Sequence, residues 1–123
     1  MRVASFVLPL VLISTAAARD AEYQVVVEKD TMVAMRDGVR LATDLYLPAR
    51  TNVVAEGRFP IILTRTPYNK DGIQGFGRYF ASRGYVFVAQ DTRGRYKSEG
   101  IWHWLTDDGR DGWDCADWIA RQP

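Results

Sequence analysis

Cysteine and histidine are scarce in this chain of 123 residues, and each scarcity excludes a kind of site. Cysteine occurs once, at Cys115. A single cysteine cannot form a disulfide framework, and no histidine or second cysteine lies at zinc-ligand spacing. We therefore predict that Cys115 is a small buried residue on a helix. Histidine also occurs once, so any imidazole base within these residues would be His103.

The chain also lacks an excess of either charge, with 16 Lys and Arg against 15 Asp and Glu. A protein dedicated to nucleic acid or to an anionic membrane carries a basic face, so we expect neither partner. Two short patterns imitate nucleotide-binding motifs. The glycines of 72–77 stand in the wrong order for a dinucleotide loop, and the segment 83–90 departs from an RNA-recognition strand at two positions.

The first 18 residues are predicted to be a secretory signal peptide. Arg2 precedes the apolar run 3–15, and three alanines at 16–18 offer small residues for cleavage. The alternative is a membrane anchor, but the run is shorter than the roughly 20 residues that span a bilayer. We expect a secreted or periplasmic protein that begins near Arg19 and has no stable membrane anchor after cleavage.

Residues 19–123 can form one domain at most, and the pattern predicts that it opens with a β-hairpin. Two short strands, 23–28 and 31–35, precede the turn pair Asp37-Gly38, which favours a tight hairpin. The return strand is predicted over 40–47 and ends at Pro48. Its alternation places Leu41, Thr43, Leu45 and Leu47 on one face and Ala42, Asp44 and Tyr46 on the other. A polar loop over 49–58 follows.

A strand–helix–strand unit comes next and makes the fold class α/β. The strand predicted over 60–66 contains three consecutive apolar residues, 61–63, without alternation, which predicts a strand covered on both faces. A helix over 74–82 carries the apolar stripe Phe76, Tyr79 and Phe80, and the strand 85–89 follows it. Parallel strands joined by a helix form a right-handed crossover. A last helix begins near Asp107 or Asp108, either of which can cap it.

Tyr68 is the first candidate for a functional role, because it follows the apolar strand at once. The carboxyl ends of strands in an open α/β sheet are where ligands usually bind. A phenol there can donate a hydrogen bond to negative charge that develops in a reaction. The same ring could instead cover the edge of the sheet, and the pattern leaves both interpretations open.

Two further groups follow the second strand of the unit. Asp91, Arg93 and Gly94 begin a long polar loop over 91–100, and we interpret them as structural support for it. His103 lies between Trp102 and Trp104, where the three could line a pocket. The serine-nucleophile pattern Gly-x-Ser-x-Gly is absent. One alternative is therefore an exported, non-catalytic binding module that uses these rings and Tyr68 as an aromatic platform.

Several short motifs in one order resemble a known family over about 30–123. They are Met35–Leu41, Leu63–Tyr68, Gln90–Gly94, Ser98–Gly100, Asp111–Asp114 and Trp118-Ile119. The family is that of the X-Pro dipeptidyl-peptidase-like hydrolases, which includes the cocaine-esterase-like and α-amino-acid ester hydrolases.

This resemblance implies an α/β-hydrolase fold whose Ser–Asp–His triad cleaves ester or amide bonds of small-molecule or peptide-like substrates, with no metal or cofactor. Tyr68 matches the tyrosine that donates its hydroxyl to the oxyanion hole. The serine would follow Pro123, on the next strand, with the acid and histidine further on. His103 would then not be the triad base, and residues 19–123 would form an incomplete, inactive domain. The sequence does not set the oligomeric state.

In the hydrolase strand order a further strand would pair with 60–66. Tyr96 departs from the wider superfamily, which often has glycine there.

Overall fold

The computed structural model describes residues 19–123, and its first feature is a long β-hairpin. Strand β1, Gln24–Ala34, pairs antiparallel with strand β2, Arg40–Arg50. Between them Gly38 has φ 85° and donates its N–H to the Met35 carbonyl at 2.9 Å. Glycine adopts this backbone conformation without steric cost. The predicted hairpin is therefore confirmed.

β1 is a single strand, so the prediction of two short strands was wrong. The register with β2 shifts between Glu28 and Thr31, and Asp30 in this bulge has φ 55°. The polar residues that seemed to separate two strands form a β-bulge within one. The Asp30 N–H donates to the Asp44 carboxylate on β2 at 2.9 Å, so the bulge is fixed by a side chain.

β2 continues through Pro48, where we predicted that it ends. The Pro48 carbonyl accepts a hydrogen bond from the Ala55 N–H, on the side of the short strand β3, Val53–Val54. The nitrogen of a strand residue faces the same side as its carbonyl, so no hydrogen bond to β1 is lost at the proline. The predicted polar loop over 49–58 therefore contains a two-residue strand.

The predicted strand–helix–strand unit is confirmed. Strand β4, Ile61–Thr66, and strand β5, Val86–Asp91, are parallel neighbours joined through helix α1, Gln74–Ala81. The sheet order is β1-β2-β5-β4, with β3 paired to β2, so β4 lies at the edge of the described sheet. Its predicted coverage on both faces was wrong for these residues, because Ile61 is exposed and the others are half-buried. β5 lies inside the sheet and is buried from Phe87 onward.

Helix α1 packs on the sheet through small residues. Gly77 and Ala81 are its buried positions, whereas Phe76 and Tyr79 of the predicted apolar stripe are largely exposed. A Cβ on Gly77 would lie 2.6 Å from the Tyr46 ring, so only glycine allows this approach. Buried rings such as Tyr46 each contribute on the order of 2 kcal/mol through the hydrophobic effect.

Helix α2, Asp108–Ala120, covers the opposite face of the sheet. Cys115 is fully buried, as predicted, and Trp118 packs against Val33, Met35 and Leu41. Asp107 is the N-terminal cap residue, but its carboxylate accepts a hydrogen bond from Arg110 and does not cap the helix. Along the helix, Arg110 pairs with Asp107 at 2.7 Å and Arg121 pairs with Asp117 at 3.1 Å.

None of the helices between residues 19 and 123 is long and apolar enough to cross a bilayer. The predicted signal peptide, residues 1–18, lies outside the described residues and stays a prediction.

Candidate active site

The candidate site lies where the two parallel strands end side by side. Thr66, the last residue of β4, pairs in register with Asp91, the last residue of β5. Pro67 and Tyr68 follow Thr66 directly. The Tyr68 N–H donates to Thr66 Oγ1 at 3.0 Å, which fixes the backbone, while Tyr68 as a residue is 71% exposed. The predicted oxyanion donor is thus a solvent-facing phenol at the carboxyl edge of the sheet.

The chain turns sharply after Tyr68. Asn69 has φ 79°, a left-handed conformation that asparagine tolerates better than most residues. Its side-chain oxygen accepts the Asp71 N–H at 3.0 Å and begins the 3-10 helix Lys70–Ile73. The left-handed residue Asn69 therefore separates Tyr68 from the 3-10 helix.

Beneath this turn, all three lysines of the chain meet four aspartates, in a group that we call the lysine cluster. Its members are Lys29, Lys70, Lys97, Asp30, Asp44, Asp71 and Asp91. Lys70 is at its centre and is fully buried. Its ammonium lies 2.6 Å from Asp30 Oδ1 and 3.0 Å from Asp44 Oδ1. The cluster joins the hairpin to the segment that carries Tyr68.

Lys70 and Asp30, at the centre of the cluster, are each stabilised in the charged form. Hydrogen bonds from Lys70 and Lys97 hold the pKa of Asp30 at about 2, below its ordinary value of 3.8. Burial acts to lower the pKa of Lys70, but the hydrogen bonds to Asp30 and Asp44 outweigh it, and the pKa is raised overall. Lys70 and Asp30 are therefore both ionised at neutral pH.

Asp91 connects the segment after β4 to the long loop after β5. One carboxylate oxygen accepts the Lys70 backbone N–H at 2.8 Å, and the other accepts the Lys97 backbone N–H at 3.3 Å. Its backbone carbonyl accepts the Ser98 hydroxyl at 2.6 Å. Asp91 is the last residue of β5. The prediction that it begins the loop was therefore wrong. Asp91 holds both loops at the edge of the sheet.

Arg93 and Gly94 shape the long loop by different means. The Arg93 guanidinium donates to Asp111 at 2.8 and 2.9 Å and to Asp37 at 2.8 and 3.2 Å, which joins the loop to α2 and to the hairpin turn. Gly94 has φ 69°, and a Cβ there would lie 2.1 Å from the Trp102 nitrogen. Tyr96 also has a positive φ, 46°, at the position where the superfamily often has glycine.

Trp102, His103 and Trp104 lie on an exposed stretch before α2. The two indole rings meet edge to face with centroids 5.7 Å apart. His103 is largely exposed, and its Nδ1 lies 3.9 Å from the Asp107 carboxylate. One residue, Arg95, contacts both the Trp102 ring and the residue before Tyr68. The Arg95 guanidinium lies 4.9 Å from the Trp102 ring centroid and donates to the Pro67 carbonyl at 3.0 Å.

This geometry can be compared with known proteins. The protein family described as X-Pro dipeptidyl-peptidase (S15 family) matches residues 37–123. The chain belongs to this family. Cocaine esterase of Rhodococcus sp. (strain MB1 Bresler) is 40% identical over 109 residues, which cover 84% of this chain and 18% of the esterase.

Two solved structures extend the comparison to the fold. An α-amino-acid ester hydrolase superposes with a TM-score of 0.67 at 29% identity, covering 97% of this chain and 22% of that one. An aminopeptidase of a marine sediment Thaumarchaeota archaeon gives 0.65 at 29% identity, covering 81% and 19%. The predicted α/β-hydrolase fold is confirmed, and the family is one of esterase- and peptidase-like hydrolases. The chain spans about a fifth of the length of these relatives.

Sequence reasoning missed the residues that hold the family's shared motifs in place. Lys70, Asp30 and Arg95 were not singled out, although each contacts the segment around Tyr68. A signal was available for the lysines. Only 3 of the chain's 16 cations are lysines, and two of them follow the two parallel strands. That placement alone would have predicted that they meet at the same edge.

Proposed function

We propose that this chain is the N-terminal part of an exported serine hydrolase that cleaves ester or amide bonds of small substrates by acyl transfer. One observation carries the proposal. In a family of esterase- and peptidase-like hydrolases, Tyr68 presents its phenol at the carboxyl end of β4, beside the end of β5. Carboxyl ends of parallel strands are where sites in such sheets form.

In this proposal Tyr68 donates its hydroxyl to the oxyanion that forms when a serine attacks the substrate carbonyl. A backbone N–H after the serine is the second donor, and the triad of serine, acid and histidine comes from sequence beyond Pro123. His103 is then a loop residue near the site and not the general base. Residues 19–123 supply one oxyanion donor and no nucleophile, so on their own they are inactive.

The experiment is turnover of an activated ester by the full-length protein with Tyr68→Phe. Loss of one oxyanion donor should lower kcat on the order of 100- to 1000-fold, because the donor binds the transition state and not the ground state. KM should change little. Tyr79→Phe is the matched control, since Tyr79 is also an exposed tyrosine but lies on α1. Equal turnover of wild type and Tyr68→Phe would remove Tyr68 from the oxyanion hole.

A fluorophosphonate probe separates this function from the aromatic binding module. Such a probe forms a covalent bond to an activated serine. Labelling of the full-length protein supports the hydrolase, and a folded protein that resists labelling argues for the non-catalytic module.

Export is part of the proposal and rests on the pattern of residues 1–18. A mature protein whose first residue is near Arg19 would support it. A protein that retains Met1 and stays in the cytoplasm would contradict export, and a membrane-bound protein that retains Met1 would contradict cleavage.

A further inference from the structure

Lys70 is a fully buried lysine, two residues after Tyr68 in the sequence. Lysine is among the residue types that are almost never fully buried unless paired, because the ammonium loses its hydration. The other two lysines of the cluster, Lys29 and Lys97, keep side chains 42% and 54% exposed. The burial of Lys70 therefore needs an explanation, whereas the partly exposed side chains of Lys29 and Lys97 do not.

Stability is a weak explanation for this burial. An apolar residue of similar volume often stabilises a protein as well as a buried ion pair does. An ion pair with hydrogen bonds fixes the position of the side chain in a defined direction, which apolar contact does not. The Lys70 ammonium is fixed by Asp30 on the β1 bulge and by Asp44 on β2, at 2.6 and 3.0 Å. The side chain thus ties the Tyr68 segment to two strands that are not its sequence neighbours.

The main chain of Lys70 is held independently of its side chain. Its N–H donates to Asp91 at 2.8 Å, so strand β5 fixes the backbone while the hairpin fixes the ammonium. On the other side of Tyr68, Arg95 donates to the Pro67 carbonyl at 3.0 Å. Tyr68 therefore lies between two residues that are held by hydrogen bonds, Pro67 and Lys70. One left-handed residue, Asn69, separates it from Lys70.

We propose that Lys70 is a positioning residue that holds the Tyr68 hydroxyl where the oxyanion forms. This inference rests on the proposed role of Tyr68. An oxyanion donor works at about 2.7–3.1 Å from the developing charge, and a displacement of about 1 Å can cost on the order of 100-fold in rate. Lys70 does not touch substrate; it acts through the backbone of the segment that carries Tyr68.

The test is a double-mutant cycle in the full-length protein, with Lys70→Met, Tyr68→Phe and the double variant assayed on one p-nitrophenyl ester. Lys70→Met should lower kcat about 10- to 100-fold and change KM less than about 2-fold. In the Tyr68→Phe background the same change should lower kcat less than about 2-fold further, because the hydroxyl that Lys70 positions is gone. A merely structural lysine would lower kcat by the same factor in both backgrounds.

The outcomes separate the two proposals. Unchanged turnover of Tyr68→Phe would remove Tyr68 from the oxyanion hole and overturn the role of Lys70 with it, whereas the hydrolase function itself is tested by the fluorophosphonate probe. A slow Tyr68→Phe enzyme with equal effects of Lys70→Met in both backgrounds, or with none, would overturn the role of Lys70 alone. Arg36→Met is the control, because it removes an exposed cation paired with Asp114, outside the lysine cluster. It should leave kcat unchanged.

A milder substitution keeps the test decisive if Lys70→Met does not fold, as judged by circular dichroism. Asp30→Asn retains a hydrogen-bond acceptor for the ammonium and removes one charge from the partly exposed side of the cluster. It should lower kcat about 3- to 10-fold, and that loss should disappear with Tyr68→Phe. A loss of the same size in both backgrounds would overturn the inference.

Discussion

The two helices cover opposite faces of one sheet and are attached to it by different chemistry. α1 sits on an apolar face, where Gly77 lies against the Tyr46 ring and the Phe80 and Phe87 rings stack with centroids 5.9 Å apart. α2 is tied by ion pairs around a small apolar centre. Those ties run from Arg36 to Asp114, from Arg65 to Asp108 and from Arg93 to Asp111.

The difference shows what each helix requires of the sequence. Apolar contact depends on volume and has little direction, so α1 is positioned by how closely its backbone can approach the sheet. Arginine forks fix both distance and direction, because the planar guanidinium binds a carboxylate through two hydrogen bonds. α2 should therefore depend on charge and pH, and α1 on the size of a few side chains.

The largest expected effect is on the α2 face. Arg93→Met removes four hydrogen bonds and leaves the Asp111 carboxylate, 3% exposed, without its main partner. Loss of one member of a buried pair costs about 3 kcal/mol or more of stability. Thermal unfolding of the full-length protein measures it. Arg36→Met breaks a pair whose arginine is 54% exposed and should cost less than Arg93→Met; similar losses for the two variants would contradict the comparison.

Cys115 offers a second measurement for the same variants, because it lies on the buried face of α2. Burial raises the pKa of its thiol to about 11, so alkylation in the native protein near neutral pH should be very slow. Arg93→Met should speed alkylation by loosening α2. If Cys115 of the folded wild-type protein is alkylated as fast as Cys115 of the unfolded chain, the α2 interface is open and the prediction is contradicted.

The next effect is on the α1 face. Gly77→Ala would force a Cβ to within 2.6 Å of the Tyr46 ring, and such overpacking costs about 1–3 kcal/mol. Gly75 provides a matched control in the same helix, because a Cβ there meets nothing within 4 Å. Gly75→Ala should stabilise the protein by up to about 1 kcal/mol through helix propensity. If the unfolding temperature shifts in the same direction for both variants, α1 does not pack as described.

The smallest effect is the response to acid. Hydrogen bonds from Arg36 hold the pKa of Asp114 at about 2 in the folded state, against an ordinary value of 3.8. Because the folded pKa is lower, the contribution is complete above pH 4 and is lost as the pH falls from 4 towards 2. Hydrogen exchange should show α2 amides losing protection in this window while α1 amides keep theirs. Equal loss in both helices would contradict the comparison.

Local patterns in the sequence predicted much of this fold. The alternation along β2 correctly separated Leu41 and Thr43 from Ala42 and Asp44, because one face of the strand meets α2 and the other meets α1. The hairpin turn and the strand–helix–strand unit were confirmed as well. These features depend on residues close together in sequence.

Contacts between distant residues could not be predicted in this way. Lys70 reads as a surface residue, since its partner Asp30 is 40 positions away and lies in a bulge that local preferences do not show. From the sequence alone, Gly77 is expected to destabilise its helix. Its contact with the Tyr46 ring, which requires glycine, is visible only in the structure. The location of Tyr68 was predicted, but no pattern gives the direction of its ring, which depends on the anchored turn beside it.

The lysine cluster also determines when the Tyr68 segment can reach its final shape during folding. Asp30 binds Lys70 and Lys97, which follow it by 40 and 67 positions. Contacts that close such long loops form late, because the entropy of closure must be overcome first. While the protein is being synthesised, the segment after Tyr68 cannot gain all of its anchors until Lys97 has been added to the chain. The lysine cluster and the pairing of β2 with β5 therefore form at a similar stage, since both join residues that are far apart in sequence.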